Sequence, residues 1–144
     1  MTTGYSGTPL ARKLSLKHGL RVWWEDMPSS VRAEIEEHGY DLQFLIWPEP
    51  PIQAAHVFTS WRADLDAGLH RILPLLAADG FLWVSWPKKS AMTPTDITED
   101  VIRELALPLG LVDIKVCAID ATWSGLKLVI RKELRDQHPV PPSA

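Results

Sequence analysis

Short apolar runs alternate along the chain with longer stretches in which apolar residues recur at helical spacing. Six of the runs are rich in β-branched and aromatic residues and predict strands over 20–24, 42–47, 55–59, 81–86, 111–119 and 126–131. The run over 81–86 is almost continuously apolar, which is typical of a central strand covered on both faces of a parallel sheet. Only a short turn separates the last two runs, so they are predicted to form an antiparallel hairpin.

The stretches between these runs predict helices. The first helix is expected over 9–16 and the second over 28–38, where Gly39 supplies a left-handed stop. The third stretch is the most clearly amphipathic one. Ser60 is placed to cap this third helix, and Pro74 predicts a kink in it or an early end.

The second half of the chain continues the alternation of strand and helix. Gly80 is predicted to close the turn before the fourth strand. Asp96 begins a segment that matches a capping box, and the helix that follows is expected to end at Gly110. We therefore expect one α/β domain over 1–136 and an unstructured proline-rich tail over 137–144.

Strands that alternate with helices and close with a strand hairpin predict a three-layer α/β fold with an open, mostly parallel sheet. We expect about six strands in the order 2-1-3-4-6-5, numbered along the chain, with the sixth strand antiparallel. This is the layout of the methyltransferase branch of Rossmann-like folds.

Three segments carry a closer resemblance. Residues 4–14, 82–90 and 122–129 resemble, in this order, segments shared by a family of small bacterial proteins described as domain of unknown function 3052. The resemblance covers nearly the whole chain except the tail, and it departs most between residues 24 and 55. It is compatible with a methyltransferase-like Rossmann-type fold, but it implies no activity, so the function has to be argued from the residues.

Length and composition narrow the class of protein. A chain of 144 residues suits a single domain, and 46% hydrophobic with 23% charged residues is ordinary globular usage. The formal net charge of −3 provides no general attraction to nucleic acid or anionic membranes. Cys117 is the only cysteine, which favours a reducing compartment. With no signal peptide and no bilayer-spanning apolar stretch visible, we expect a cytoplasmic protein without membrane contact.

The loop after the first strand decides whether a nucleotide cofactor is expected. Ligands of open α/β sheets bind at the carboxyl ends of the strands where the strand order reverses, here between the first and third strands. A dinucleotide or S-adenosylmethionine would require glycines in the loop over 25–30, and none is present. We therefore expect no cofactor. The five histidines show no metal-ligand spacing, so no metal site is expected either.

Candidate binding residues gather near the end of the fourth strand. Two lysines follow that strand, the hairpin turn is expected at the same edge, and a helix N-terminus nearby would attract a phosphate or carboxylate while an indole stacks on a flat ligand. The N-terminal segment offers a lid. The candidates are Lys88, Lys89, Trp86, Trp123, Ser124, Asp96, Tyr5 and Ser6. The alternative interpretation is structural: the lysines are solvated, Trp123 packs on the hairpin and Asp96 only caps its helix.

Three functional hypotheses remain open. The first is a non-catalytic, degenerate methyltransferase-like module that binds a protein partner or a small anionic ligand through the edge formed by Lys88 and Trp123. The second is an enzyme in which Lys88, with Asp96, Glu99 or Asp120, acts on a small anionic substrate. The third is binding of single-stranded nucleic acid by tryptophan stacking beside lysines, which the acidic net charge makes the least favoured.

Overall fold

A computed structural model describes residues 7–143. Within these residues six strands form one sheet: β1 (Arg21–Glu25), β2 (Gln43–Phe44), β3 (Ile52–Phe58), β4 (Leu76–Pro87), β5 (Leu111–Ala118) and β6 (Trp123–Ile130). The α-helices of this part are α1 (Leu10–Lys13), α2 (Ser29–Glu36), α3 (Arg62–Ile72) and α4 (Glu99–Ala106). Short 3-10 turns span Leu73–Leu75, Lys89–Ala91, Leu107–Leu109 and Lys132–Gln137.

The strand order is β2-β1-β3-β4-β6-β5, as the sequence predicts. β1 pairs in parallel with β2 and β3, and β3 pairs in parallel with β4. β6 is antiparallel to both β4 and β5, because the turn between β5 and β6 is too short for a crossover. The predicted open, mostly parallel sheet with an antiparallel sixth strand is therefore confirmed.

Helices cover both faces of the sheet. α3 and α4 pack on one face, where Leu82 lies in the core with Leu69 and Ile102. α1 and α2 pack on the other face, where the next residue of β4, Trp83, is 1% exposed. The indole Nε1 of Trp83 donates to the Leu14 carbonyl oxygen at 3.0 Å, so its one polar atom is satisfied. The alternation of neighbouring side chains across β4 thus builds both cores.

The second strand differs from its prediction. A buried strand is expected over 42–47, but only two residues pair with β1, and Phe44, Ile46 and Trp47 are 41%, 87% and 63% exposed. β2 is the edge strand of the described sheet, and the prolines that follow it remove backbone donors and turn the chain away from the sheet. The apolar run therefore forms an exposed edge instead of a core strand.

The predicted turn at Gly80 is absent, because β4 begins earlier, at Leu76, and Gly80 lies inside the strand. The pairing between β3 and β4 is irregular at this point. A Cβ atom at Gly80 would lie 3.0 Å from the carbonyl oxygens of both Ala77 and Gln53. Glycine is required here by close backbone approach within a strand and not by a turn.

Both predicted helix caps differ from the observed ones. Neither Ser60 nor its neighbour caps α3 with a side chain; instead Asp96 Oδ1 accepts from the backbone N–H of Arg62 at 2.6 Å. The helix that Asp96 was expected to cap, α4, is capped by Thr98, whose Oγ1 accepts from Val101 N at 3.2 Å. The reason is that the loop before α4 crosses the N-terminus of α3, where it finds unsatisfied donors.

The C-terminal segment differs from the expected unstructured tail. Residues 138–143 lie along the start of β4, where Ala78 N donates to the Val140 carbonyl oxygen at 3.1 Å and Val140 is buried. His138 Nε2 donates to the Leu76 carbonyl oxygen at 2.6 Å. The irregular pairing of β3 and β4 leaves Ala78 without a strand partner, and the C-terminal segment supplies one.

Candidate functional site

A groove of about 540 Å³ lies at the carboxyl ends of β1 and β3, where the strand order reverses. We call it the switch-point groove. Its polar and aromatic lining includes Glu25, Asp26, Asp64, Arg71, Trp61 and Trp123. In open α/β sheets this is the position at which ligands bind, so the groove is the first candidate site of the molecule.

An ion pair stands at the end of β1. The guanidinium of Arg71 donates to both carboxylate oxygens of Glu25, and Trp23 Nε1 donates to the same carboxylate at 2.9 Å. The Glu25 side chain is only 14% exposed. The hydrogen bond to Glu25 is the main reason why the pKa of Arg71 is raised above its ordinary value. The two donors, Arg71 and Trp23, therefore fix the position of this carboxylate.

The helix geometry explains how Arg71 reaches Glu25. Side chains of an α-helix lean toward its N-terminus, which for α3 is at the carboxyl edge of the sheet. Gly68 lies nearly one turn earlier on α3, and a Cβ there would be 3.8 Å from Arg71 Nη2. The guanidinium therefore extends along the helix past a position that has no side chain.

The turn after β1 is made without glycine. Asp26 adopts a left-handed conformation with φ of 54°, which Asp tolerates better than most residues, and Pro28 occupies the N-cap of α2. This turn therefore lacks the glycine backbone that close approach of an adenosyl cofactor needs, and Pro28 removes one backbone donor. Residues 45–47, after β2, are Leu, Ile and Trp, which offer no carboxylate for ribose hydroxyls. The residues present do not fit S-adenosylmethionine.

The structure brings the end of β4 and the hairpin turn together. Lys88 N donates to the Thr122 carbonyl oxygen at 2.8 Å, and Pro87 pairs with Trp123. Trp123 lines the switch-point groove and packs edge-on against Phe58, with ring centroids 5.1 Å apart. Lys88 and Trp123 therefore lie close together, as expected.

The candidate residues near the end of β4 do not share one surface, because Trp86 and Trp123 lie on opposite faces of the sheet. Trp86 pairs with Ser124, the residue after Trp123, and neighbouring residues of a strand point to opposite faces. Trp86 is 7% exposed and belongs to the core under α3 and α4. The Trp86 indole is therefore mostly buried, although Trp86 also lines the groove that contains Lys89.

Lys89 lines a separate groove of about 490 Å³ beside the first turn of α4. Glu99 and Asp100 line the same groove, and each accepts from Arg103 at 3.1 Å. Two carboxylates balance the lysine and the arginine, so the groove has no excess of positive charge for an anion. Asp96 lies outside this arrangement, since it caps α3.

Of the carboxylates expected near Lys88, Asp96 and Asp120 accept from backbone N–H groups, and Glu99 accepts from Arg103. Asp120 Oδ1 accepts from the N–H groups of Thr122 and Trp123, both at 2.8 Å, and so closes the hairpin turn. The side chain of Lys88 makes no hydrogen bond or ion pair with any residue of 7–143. Tyr5 and Ser6, the expected lid, lie outside the described residues.

His56 is a buried residue for which the sequence gives no signal. It stacks on Phe58 with centroids 4.4 Å apart, and its Nε2 lies 2.7 Å from Ser85 Oγ. Burial lowers the pKa of His56 to about 3, so its ring is neutral. His56 Nδ1 and the neighbouring Trp24 Nε1 are buried without a hydrogen-bond partner in the described structure. His56, Phe58 and Trp123 thus connect the core to the switch-point groove.

The described part of the chain contains neither a metal cluster nor a membrane-spanning helix. Across residues 7–143, His, Cys, Asp and Glu side chains form no group of three or more that could hold a metal ion. None of the helices in this range combines the length and the apolar character needed to cross a membrane.

No protein-family model matches the chain, and no curated protein sequence matches it. The resemblance to domain of unknown function 3052 therefore stays a prediction. Solved structures do match. A ribosomal protein L11 methylase from Lactobacillus delbrueckii subsp. bulgaricus aligns over 85% of this chain and 75% of its own, with 12% identity and a TM-score of 0.56.

Two other structures show the same architecture. A putative type 11 methyltransferase from Sulfolobus solfataricus has 16% identity and a TM-score of 0.56, covering 85% of this chain and 90% of its own. A magnesium protoporphyrin IX methyltransferase from Synechocystis PCC 6803, solved with bound SAM, has 12% identity and a TM-score of 0.55 over 84% and 74%. Such identities show the fold alone, and that fold is a methyltransferase-like α/β Rossmann fold.

Proposed function

We propose that this chain is a non-catalytic, degenerate methyltransferase-like module that binds a protein partner through the switch-point groove and the adjoining edge formed by Lys88 and Trp123. The observation that carries the proposal is the ion pair of Glu25 and Arg71 at the end of β1. This charged, partly buried pair lies at the end of β1, where a nucleotide cofactor would need a glycine turn with open space beside it. A fold of this kind without its cofactor site retains a rigid surface but no group to transfer.

The surface around the groove supports the binding of a macromolecule. Trp61 is 47% exposed at the groove, and Trp123 lines it from the other side of the strand ends. Indoles that keep one face in solvent are enriched at the centres of protein interfaces, where they contribute large contact area at little entropic cost. Lys88 adds a cationic side chain at the rim of the same edge.

The first test is calorimetric titration with S-adenosylmethionine and S-adenosylhomocysteine. We expect no binding below about 1 mM, which corresponds to a binding free energy weaker than about 4 kcal/mol. Micromolar binding of either compound would overturn the proposal and move the chain to the enzyme class.

The second test concerns the partner. A photo-crosslinking residue at Trp61 is expected to give one discrete adduct in native cells, and the same residue at exposed Glu133 is expected to give none. Replacing Lys88 and Trp123 together by alanine should abolish the adduct. Equal labelling from both positions, or no adduct from position 61, contradicts a partner site at this edge.

A small anionic ligand at Lys89 is the second candidate. It is supported by Lys89 lining the same groove as Thr95 and Thr98, and the two carboxylates of that groove make it the weaker candidate. Titration with inorganic phosphate, followed by the backbone amide signals of the first turn of α4, tests it. A saturable shift that Lys89→Ala removes would favour this candidate, and unchanged signals would eliminate it.

A further inference from the structure

Two carboxylates of the switch-point groove remain available to a ligand. Asp26 follows β1 and Asp64 lies in the first turn of α3, and both are exposed. Neither forms a hydrogen bond or a salt bridge with another residue of 7–143. Glu25, by contrast, is already held by Arg71 and Trp23. The groove therefore contains three carboxylates but only one guanidinium, which is already hydrogen-bonded to Glu25.

Aromatic side chains stand in the same groove as the two carboxylates. Trp61 precedes α3, and Trp123 begins β6 and is fixed edge-on against Phe58. The face of an indole carries negative potential and attracts a cation, with Trp the strongest of the aromatic residues. Carboxylates and indole faces favour the same kind of ligand group and disfavour an anion.

We infer that the switch-point groove binds an organic cation, an ammonium or guanidinium group, between the carboxylates of Asp26 and Asp64 and the indoles of Trp61 and Trp123. The inference rests on the proposed binding function and specifies its chemistry. Arg71 is hydrogen-bonded to Glu25 and only attracts Asp26 through its charge, so an incoming cation can pair with Asp26 and Asp64 without breaking a hydrogen bond. A volume of about 540 Å³ has room for a lysine or arginine side chain with part of its backbone.

Such a group has two sources, a side chain of a basic protein segment or a free aminoalkylguanidine. We would titrate the ¹⁵N-labelled protein with agmatine, and separately with a blocked five-residue peptide of glycine, arginine and lysine, and follow the tryptophan indole N–H signals. Substitution of each tryptophan assigns the signals of Trp61 and Trp123. Saturable shifts confined to these two signals are the expected result. Tighter binding of the peptide identifies a protein segment as the source, and equal or tighter binding of agmatine identifies a small molecule.

Matched variants separate a specific site from general attraction to an acidic protein. The double variant Asp26→Asn/Asp64→Asn should weaken agmatine binding about tenfold, since it removes both free carboxylates. Glu133→Gln/Asp136→Asn removes the same number of charges from the exposed 3-10 turn at Lys132–Gln137 and should leave binding unchanged. Equal weakening by both pairs, or shifts that spare Trp61 and Trp123, overturns the inference.

The same titrations distinguish failure of the inference from failure of the proposed function. If S-adenosylmethionine shifts the two indole signals at micromolar concentration, the proposed non-catalytic function is wrong. If both cations leave the signals unchanged while the crosslink from position 61 persists, the partner site stands and only its cationic chemistry is wrong.

Discussion

His56 is a titratable side chain that the fold uses for packing. Trp24, Phe58 and Trp83 surround its ring, and Ser85 provides its one hydrogen bond. Protonation would place an unpaired charge in this aromatic core, which is why burial lowers its pKa. The sequence alone places His56 at the start of a strand but cannot show its burial, because the burial arises from the pairing of β3 with β4.

The lowered pKa of His56 predicts a pH dependence of stability. The unfolded chain binds a proton at His56 near pH 6.5 and the folded chain only near pH 3, so acid favours the unfolded state between these values. The free energy of unfolding should be greatest above pH 6.5 and fall by up to about 1.4 kcal/mol per pH unit below it. Urea denaturation at pH 7.5, 6, 5 and 4 measures this slope. His56→Gln keeps a partner for Ser85 and should flatten it; an unchanged slope assigns the acid sensitivity to other groups.

At the scale of single elements, Asp96 shows the limit of a local motif. Its sequence context matches a cap for α4, yet its carboxylate binds the first turn of α3, 34 residues earlier in the chain. A capping box is recognised from neighbours in sequence, while the donors that a carboxylate meets depend on which loops cross in space. The existence of both helices was predictable from their apolar spacing, but the assignment of their caps was not.

Substitution of Asp96 by alanine is therefore expected to destabilise the fold through α3. The lost cap should cost about 1 kcal/mol of unfolding free energy, the usual loss for an N-terminal cap. Amide hydrogen exchange should accelerate in the first turn of α3 and remain unchanged in the first turn of α4. Thr98→Ala is the matched control, with the opposite pattern. Faster exchange in the first turn of α4 of the Asp96 variant would instead show that Asp96 caps α4, as the local motif predicts.

The two glycines at Gly68 and Gly80 give a paired prediction. Gly80→Ala should destabilise by about 1 to 3 kcal/mol, because its Cβ would meet backbone oxygens at 3.0 Å inside β4. Gly68→Ala should stabilise by about 0.5 to 1 kcal/mol, because it lies inside α3 and its nearest neighbours are 3.8 Å away or more. Thermal unfolding of both variants checks the signs, and destabilisation at Gly68 would show that Arg71 needs the open path.

At the scale of the whole molecule, the sheet order followed from the spacing of apolar runs and the short hairpin turn. The site did not. Arg71 meets Glu25 across 46 residues, a pairing that no spacing rule contains. The apolar run at β2 predicted a buried strand, but an apolar run in the sequence does not distinguish a central strand from an edge strand. The prolines likewise led to the prediction of an unstructured tail over 137–144. Proline lacks a backbone N–H donor, but its presence does not show which donors elsewhere the carbonyl oxygens of the segment accept from.

The docked C-terminal segment predicts a contribution to global stability. Val140→Ala should lower the free energy of unfolding by about 1 to 2 kcal/mol, since Val140 is buried against the start of β4. Pro142→Ala, at an exposed position nearby, should change it little. Denaturant titration of the two variants tests this. Equal stability of both would mean that the segment contributes nothing despite its contacts.

The position of β6 sets the order in which the molecule is completed during synthesis. β6 lies between β4 and β5, although it is made after both, and in the described sheet it is the strand that β5 pairs with. On the ribosome, β5 therefore emerges with no neighbour, and the long edge of β4 stays open until residues 123–130 leave the exit tunnel. Nascent chains that stall before this point expose the open edge of β4 together with a β5 strand that has no partner, and we expect chaperones to bind this form in preference to the completed fold.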